Sequence, residues 1–278
     1  MTSWIRTSRR TVEETPRPYF LSLGNDEFCA HFNTLFYSHT YAKSMSRDLV
    51  IYDKSTAISP SYSLLEETFA PINRVSYSSE MRALITILRA KDSAKFFPLL
   101  SKMNIQELRT EARAVLVWKP SMMEKIRSVV EENSLPDTFD VGVHIRFPKR
   151  FDTVRAPSVQ TYVDAVSGEV SVENPNVFVM ADQSALLEEF RRLAPSKWII
   201  HAVYPANSLL RGSSIDSFNR QSLVGKLRAY SEYVTELYCM QNCSKLICNL
   251  STDAGRFLFL TGNAEKFRSM DTPEWSPF

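Results

Sequence analysis

The sequence predicts an α/β protein built on parallel sheets, and three features indicate this fold class. Residues 19–23 are typical of a strand, a helical pattern of apolar residues follows, and residues 49–52 form a second strand pattern. A strand–helix–strand unit of this kind requires a crossover between parallel strands. Val141–Ile145 is an apolar run typical of a strand that is buried on both faces. After Arg150, strand and helix patterns alternate regularly, which predicts further units of the same kind.

The length of the chain predicts two domains. At 278 residues it exceeds the usual size of a protein with a single core. A Leu-Pro-Asp turn at residues 135–137 precedes the central strand and marks the boundary. We therefore predict an N-terminal arm, two domains and a C-terminal tail, over residues 1–18, 19–134, 135–263 and 264–278.

Composition excludes several classes of protein. With 44% hydrophobic and 23% charged residues, the chain has the composition of an ordinary globular protein. A net charge of +2 is too small to indicate a nucleic-acid-binding surface. No apolar run reaches the roughly eighteen residues that cross a bilayer, and the polar first 18 residues do not form a secretory signal. We therefore expect a cytoplasmic protein without a nucleic-acid partner or a membrane span.

The cysteines indicate neither a disulfide framework nor a metal site. Only Cys239 and Cys243 have a helical spacing, and no second pair or histidine cluster completes a zinc site. We expect all four thiols, Cys29, Cys239, Cys243 and Cys248, to be free and buried.

In the first half, the patterns predict the following elements in order: a strand at 19–23, a helix from Phe28 past His39, a strand at 49–52, a loop at 59–71, two helices within 80–110 broken near Pro98, a strand or helix end at 113–118, and a helix from Pro120 to about Asn133.

In the second half, the patterns predict the following elements after the central strand: a helix at 158–166, a strand at 177–180, a helix capped by Asp182 and running through Phe190, a strand at 198–200, a loop at 205–220, a helix around 227–238, a strand at 246–250, and a helix opened by Ser251-Thr252-Asp253 and ending by Gly262.

His144 and Arg146 are the first candidate site residues. They come at the carboxyl end of the central strand, where open α/β sheets bind ligands, and Pro148 prevents the strand from continuing. The guanidinium of Arg146 has a fork that matches two phosphate oxygens, as in a diphosphate. An arginine in a surface salt bridge at a strand end is the alternative, and this stretch alone supports both equally.

Ser251-Thr252-Asp253 is the second candidate. A strand, a turn rich in hydroxyl groups and a helix present free backbone N–H groups, which bind phosphate. Ordinary capping of the helix explains the same residues without a ligand.

Together these segments resemble the GDP-fucose-dependent fucosyltransferases, the superfamily of α-1,6- and protein O-fucosyltransferases. Val141–Arg146 resembles the strand of that family that ends in a His-x-Arg motif. Residues 177–182 resemble its second strand, and Glu236 falls where the family has an acidic residue on a helix. Residues 248–256 resemble its Ser-Ser-x-x-x-Arg turn. The resemblance covers roughly residues 110–262 and extends only loosely to the first half.

The resemblance implies a GT-B fold, in which two Rossmann-like domains with parallel sheets flank an interdomain cleft that holds the donor. It also implies site residues: Arg146 for the diphosphate, His144 to orient phosphate or sugar, Asp182 or Glu236 for the guanosine, Ser251, Thr252, Asp253 and Arg256 around the phosphates, and Asn25 in the first turn. Phe147 stands where many members have a second arginine, which members that attach fucose to protein often lack.

The reaction implied is inverting transfer of fucose from GDP-fucose, the donor substrate, to a hydroxyl of a glycan or protein, without a metal or another cofactor. Inversion requires a base. Asp152 and the pairs Asp26–Glu27 and Glu66–Glu67 are candidates that the sequence does not rank. The absence of an Asp-x-Asp sequence agrees with a metal-free reaction. Two alternatives remain: transfer from a different nucleotide sugar, and a relic that binds a nucleotide or glycan without turnover.

Overall fold

The computed structural model of the protein describes residues 19–23, 28–53, 64–77, 87–88, 93–146, 157–203, 222–273 and 275. Within these ranges the strands are β1 (Tyr19–Leu23), β2 (Leu49–Asp53), β3 (Val75–Tyr77), β4 (Ile87–Leu88), β5 (Phe139–Ile145), β6 (Asn176–Ala181), β7 (Ile199–His201), β8 (Cys243–Cys248) and β9 (Lys266–Ser269). The helices are α1 (Phe28–Ser44), α2 (Leu64–Thr68), α3 (Ser93–Leu100), α4 (Ile105–Val115), α5 (Pro120–Glu132), α6 (Val159–Glu169), α7 (Ser184–Leu193), α8 (Leu223–Gln241) and α9 (Asp253–Thr261).

Two parallel sheets organise the described residues, and the predicted fold class, α/β with parallel sheets, is confirmed. The first sheet has the order β3-β2-β1-β4, and its three strand pairings are all parallel. The β1–α1–β2 unit is present as predicted, with Tyr19 opposite Leu49. The second sheet has the order β7-β6-β5-β8-β9, again with parallel pairings throughout.

The strand order of the second sheet determines where a ligand can bind. Its strands run outward in one direction from β5 to β6 and β7, and the chain then crosses to the other side of β5 to add β8 and β9. Doubly wound sheets reverse at such a switch point, and the crevice outside the carboxyl ends of the two flanking strands is their usual ligand site. In this protein the flanking strands are β5 and β8.

Local sequence signals account for several helix starts. Asn104 caps α4 and forms a reciprocal capping box with Glu107. Pro120 occupies the first position of α5, as predicted, where its missing N–H costs no hydrogen bond. The side chains of Ser158, Ser222 and Thr252 accept amide hydrogen bonds at the starts of α6, α8 and α9.

Apolar packing joins the two halves of the chain. The larger cluster of buried residues contains side chains of α1, α4 and α5 together with side chains of α8 and α9. Phe32 on α1 stacks on Phe257 on α9 with ring centroids 5.0 Å apart. The smaller cluster lies between the second sheet and the helices α6 and α7. Gly142 on β5 allows α8 to approach closely, because a Cβ atom there would lie 2.6 Å from Cys243 Sγ and 3.0 Å from Met240 Sδ.

Several expectations for the first half are corrected. The predicted loop at 59–71 contains α2 within its described part. Residues 87–88 are a strand, not a helix, because their backbone pairs with β1 at the edge of the first sheet. Pro98 lies inside α3, in its last turn, so the predicted break there is wrong; the helix continues although the missing N–H removes one of its hydrogen bonds. Residues 113–115 end α4, so the helical alternative holds there.

In the second half, one predicted cap is wrong. Gln183, not Asp182, is the N-cap residue of α7, and its side chain makes no capping hydrogen bond. Asp182 instead remains at the sheet edge, because its amide donates to the carbonyl of Ile145 at 3.1 Å. β8 begins at Cys243, earlier than predicted, and β9 lies in the segment that the sequence analysis set aside as a tail.

All four cysteines are free and buried, as predicted. Burial raises the pKa of Cys239 to about 12, and Glu236 adds to the effect. Among the described residues, no helix combines the length and the apolar character needed to cross a bilayer.

Candidate functional site

The candidate site lies at the carboxyl edge of the second sheet, around the switch point between β5 and β8. His144 and Arg146 come from the end of β5, and Asp182 follows β6 directly. The turn after β8 leads into α9, and Asp271 follows β9. Four neighbouring strands of the sheet therefore deliver polar side chains to one edge.

His144 is held inside this edge. Its side chain is only 3% exposed, and Nε2 lies 3.7 Å from Oδ1 of Asp182. The Asp182 side chain is 41% exposed, so the pair connects the interior of the sheet to its surface. Nδ1 of His144 is buried and makes no hydrogen bond to another described residue. A buried ring nitrogen of this kind is available to a ligand group.

Arg146 is the first residue beyond β5 and is partly buried. Within the described part of the chain, no ion pair or side-chain hydrogen bond involves it. The alternative from the sequence, a structural salt bridge, therefore has no partner among the described residues. The guanidinium carries a fixed positive charge at the switch point.

The turn between β8 and α9 is tightly built. Thr252 caps α9: its hydroxyl donates to the carbonyl of Asn249 at 2.8 Å and accepts from the amide of Gly255 at 2.9 Å. Gly255 is required here, because a Cβ atom would lie 2.0 Å from the carbonyl oxygen of Asn249. The Thr252 hydroxyl therefore acts as an ordinary helix cap, the alternative that the sequence left open, and its proton is already donated within the protein. The amide of Thr252 also donates to the carbonyl of Asn249, at 3.1 Å, so Thr252 can serve a ligand only by shaping the turn.

Tyr162 supports this turn from below. Its hydroxyl donates to Oδ1 of Asn249 at 2.5 Å, and both residues are buried. Burial raises the pKa of Tyr162 far above its ordinary value, so its hydroxyl stays protonated and remains a donor. The sequence analysis missed Tyr162 and Asn249, because their contact joins α6 to β8 and no local pattern reports it.

Asp253 and Arg256 form an ion pair over the first turn of α9. Nη2 of Arg256 lies 2.8 Å from Oδ1 of Asp253, and Nη1 donates to the carbonyl of Ser251 at 3.2 Å. Asn33 on α1 donates to the backbone carbonyl of Asp253 at 3.0 Å. The predicted residues of the turn are therefore brought together, and α1 from the first half holds the same turn.

Asp271 is a residue of this edge that the sequence analysis missed. Its Oδ2 accepts the hydroxyl of Ser251 and also the Ser251 amide at 3.3 Å. Asp271 reaches this position because Met270 extends the pairing of β9, its amide donating to the carbonyl of Cys248 at 2.9 Å. The sequence offered little signal for this residue, because the four residues of β9 have only a weak strand pattern.

Glu236 lies on α8 and is buried, only 6% exposed, beside Glu232. Asn25, Asp152 and the pair Asp26–Glu27 fall outside the described residues. Glu66 and Glu67 lie in the short helix α2 of the first half. Within the described ranges, no three His, Cys, Asp or Glu side chains gather closely enough to hold a metal ion.

Comparison with solved structures finds this fold among fucosyltransferases. NodZ α-1,6-fucosyltransferase soaked with GDP-fucose matches with a TM-score of 0.52 and 14% identity, over 88% of this chain and 93% of NodZ. Fucosyltransferase NodZ from Bradyrhizobium, in its selenomethionine form, matches with a TM-score of 0.53 and 15% identity, over 89% and 93% of the two chains. The protein has the fold of these fucosyltransferases.

A plant enzyme extends the likeness. A variant of Arabidopsis thaliana FUT1 in complex with GDP matches with a TM-score of 0.52 and 10% identity, over 90% of this chain and 69% of FUT1. The sequence itself matches no family model and no curated protein sequence. At such identities the likeness concerns the fold, and the function of this chain has to be argued from its own site.

Proposed function

We propose that the protein is a glycosyltransferase of the GT-B type, with two Rossmann-like domains and a cleft between them. It transfers fucose from GDP-fucose to a hydroxyl of a glycan or protein, with inversion and without a metal. The observation that carries the proposal is the switch point of the second sheet. There Arg146, whose charge has no counter-ion among the described residues, follows β5, and the turn that opens α9 follows the neighbouring strand β8.

Charge and geometry support a diphosphate at this position. The first N–H groups of a helix have no partner inside the helix, and the N-terminus carries partial positive charge. Arg146 adds a full charge and a fork that can hold two phosphate oxygens. Arg256 lies over the same turn, paired with Asp253. Two structural neighbours, NodZ and FUT1, were solved with GDP-fucose or GDP.

Each site residue has a role in the proposed reaction. Arg146 neutralises the β-phosphate as the bond to fucose breaks, so that GDP leaves without a metal ion. The Ser251 amide and the first amides of α9 hold other diphosphate oxygens, and Thr252 shapes the turn between them. His144 orients phosphate or sugar through its buried ring, with Asp182 beside it. Asp182 or Glu236 binds the guanosine, and Asn25, between β1 and α1 in the sequence, also binds the GDP-sugar.

Inversion needs a base that accepts the proton of the attacking hydroxyl. We propose Asp152 for this role, since it follows the central motif closely in the sequence. Asp26–Glu27 and Glu66–Glu67 are the other candidates. Replacing each carboxylate by its amide, and comparing transfer with GDP binding, separates a base from a residue that only binds the donor.

The proposal is tested by a thermal-shift and calorimetric screen of nucleotides in the presence of EDTA. We expect GDP to stabilise the protein by about 2.7 kcal/mol at a hundredfold excess over its dissociation constant, because it binds only the folded form. GMP should stabilise it less, since it lacks the β-phosphate proposed to contact Arg146. Binding of GDP, and transfer from GDP-fucose, should both persist in EDTA.

Three results would contradict parts of the proposal. Equal shifts with GDP, UDP and ADP would refute the guanine assignment, and preference for a non-GDP donor would indicate another nucleotide sugar. Loss of transfer in EDTA that Mn²⁺ or Mg²⁺ restores would refute the metal-free mechanism. Binding of GDP-fucose without transfer to any glycan or protein acceptor would indicate a relic that binds its ligand without turnover.

A further inference from the structure

The carboxylate of Asp271 contacts Ser251, the residue just before Thr252, the N-cap residue of α9. Its Oδ2 accepts two hydrogen bonds from Ser251, one from the hydroxyl and one from the amide at 3.3 Å. Its Oδ1 accepts the Ser269 hydroxyl at 3.1 Å and the Thr272 amide at 2.7 Å. Ser251 is exposed and Asp271 is partly buried, so the contact lies at the surface of the sheet edge.

This contact has the chemistry of an anion bound at a helix N-terminus. A carboxylate and a phosphate both present negatively charged oxygens, and both accept from backbone N–H and hydroxyl groups. One N–H and one O–H each carry a single proton, so they cannot serve both anions fully at once. The amide that Asp271 uses is the Ser251 amide proposed above to hold the donor diphosphate, and the hydroxyl belongs to the same residue.

The charge of Asp271 also differs in its surroundings from that of Asp253. No ion pair within the described residues includes it, whereas Asp253 in the same turn is neutralised by Arg256. A second anion placed on Ser251 is therefore repelled at short range as well as deprived of its donors. The phosphate can bind there only if the carboxylate moves away.

We propose that Asp271 is an internal competitor for the donor phosphates: its carboxylate occupies the Ser251 position in the free protein and is displaced when a nucleoside diphosphate binds. This inference rests on the proposed function, because it assumes that the start of α9 holds the diphosphate. Asp271 keeps two other donors, Ser269 and Thr272, on Oδ1, so releasing Ser251 does not leave the carboxylate without hydrogen bonds. The competition lowers donor affinity and keeps the turn ordered when the site is empty.

The test measures GDP binding by titration calorimetry to the full chain and to Asp271→Asn. Asparagine keeps the size and one acceptor oxygen but removes the charge. We expect GDP and GDP-fucose both to bind about tenfold more tightly, the effect of weakening one charge-assisted contact by roughly 1.4 kcal/mol. Asp271→Ala should show the same tightening, so that the result does not depend on how the asparagine orients its amide.

Glu265→Gln is the matched control, since Glu265 is an exposed carboxylate just before β9 and the change in net charge is the same. Its GDP affinity should equal that of the unmodified protein. Unchanged or weaker GDP binding by folded Asp271→Asn and Asp271→Ala, while the unmodified protein binds GDP, overturns the inference alone. Weaker binding of GDP-fucose with unchanged GDP assigns Asp271 to the sugar and also overturns it. Absence of GDP binding in every form, including both Asp271 variants, refutes the proposed function together with the inference.

Discussion

Arg146 carries a positive charge for which the described part of the protein provides no counter-ion. Arginine is partly buried here, at the end of a strand whose last residues are fully buried. A structural arginine at such a position usually makes a bidentate pair with a carboxylate, and the nearby carboxylate of Asp253 is already paired with Arg256. A guanidinium without a counter-ion in the described part of the chain is thus consistent with an anionic ligand rather than with a role in stability.

Arg146→Lys separates these two roles. Lysine keeps the charge but loses the planar fork that can hold two phosphate oxygens. If Arg146 stabilises the leaving diphosphate, the change removes on the order of 2–4 kcal/mol of transition-state stabilisation, roughly a thirtyfold to thousandfold loss of transfer rate. The melting temperature should barely change, because no ion pair is broken. Steady-state transfer kinetics, GDP titration and thermal unfolding of the variant measure all three quantities.

Arg192→Lys is the matched control, an exposed arginine at the end of α7 with the same chemical change. It should leave both transfer and stability as they are. The opposite pattern for Arg146→Lys, a lower melting temperature with unchanged GDP affinity and transfer, would make Arg146 a structural residue.

At the scale of elements, the strand–turn–helix from β8 to α9 is the unit that shapes the site. Thr252 closes the turn onto Asn249, Gly255 allows the helix to approach it, and Tyr162 holds Asn249 from α6. Removing one hydroxyl from a buried pair leaves the other group without its partner. The turn is therefore expected to depend on a residue far from it in sequence.

Tyr162→Phe tests this dependence. The change removes one oxygen and leaves Oδ1 of Asn249 buried without the 2.5 Å hydrogen bond. We expect the free energy of unfolding to fall by about 1–3 kcal/mol, the usual cost of a buried unsatisfied acceptor. GDP binding should weaken as well, because the turn loses its support. Denaturant unfolding and GDP titration provide the measurements.

Tyr238→Phe is the comparison, since the Tyr238 side chain is partly buried on α8 and its hydroxyl makes no hydrogen bond to a described residue. This variant should be as stable as the unmodified protein. An equal loss in both variants would show that removing any tyrosine hydroxyl destabilises this sheet, and that the contact with Asn249 is not special.

The sequence predicted those parts of the fold and site that depend on local signals. The β1–α1–β2 unit, the central strand, Pro120 at the start of α5 and the strand–turn–helix into α9 all follow from periodicity or capping, which act within a few residues. Arg146 and His144 became candidate residues because a buried strand ends at them. The family resemblance then predicted the fold that the solved fucosyltransferases share with this chain.

The missed features all depend on contacts between distant segments. Asp271 reaches Ser251 only because β9 joins the sheet beside β8, and a four-residue edge strand has too weak a pattern to be recognised. Asp182 was assigned to a cap because an acidic residue before a helix usually is one, yet the sheet edge holds its backbone. Short segments such as Ile87–Leu88 have no period of their own, so pairing decides their structure.

At the scale of the whole molecule, helices of the two halves pack against each other. Trp118, just before α5, donates to Oε1 of Gln241 at the end of α8 at 3.0 Å. Arg109 on α4 donates to the carbonyl of Gly262 at 2.9 Å, and Arg113 donates to the same carbonyl, so two cations lie at the carboxyl end of α9. Contacts from the first half thus reach both ends of the helix whose start forms the site.

Glu232 lies on α8, one of the helices that contact the first half of the chain, and it makes the stability of the protein depend on pH. It is only 5% exposed, and burial, then Glu236, then Glu132 on α5 raise its pKa to about 7. Arg228 pairs with it at 2.8 Å, but that side chain is 68% exposed, where water screens its charge. The folded protein therefore holds a proton on Glu232 more strongly than the unfolded chain does.

The sign of the pH dependence follows from this difference. A group whose pKa is higher in the folded state contributes stability that is complete below its unfolded pKa, about 4.5, and is lost as pH rises through its folded pKa, about 7. Glu232→Gln imitates the protonated form at every pH. We expect the free energy of unfolding of the unmodified protein to fall, relative to that of the variant, between about pH 5 and pH 8. Urea unfolding at several pH values measures the difference.

Glu124→Gln, at an exposed position of α5, is the control, and its free energy of unfolding should depend on pH as that of the unmodified protein does. The prediction is contradicted if the free energies of unfolding of Glu232→Gln and the unmodified protein differ by a constant amount over this pH range, or by more at lower pH. Glu232 would then be charged in the folded protein, and the ion pair with Arg228 would determine its pKa.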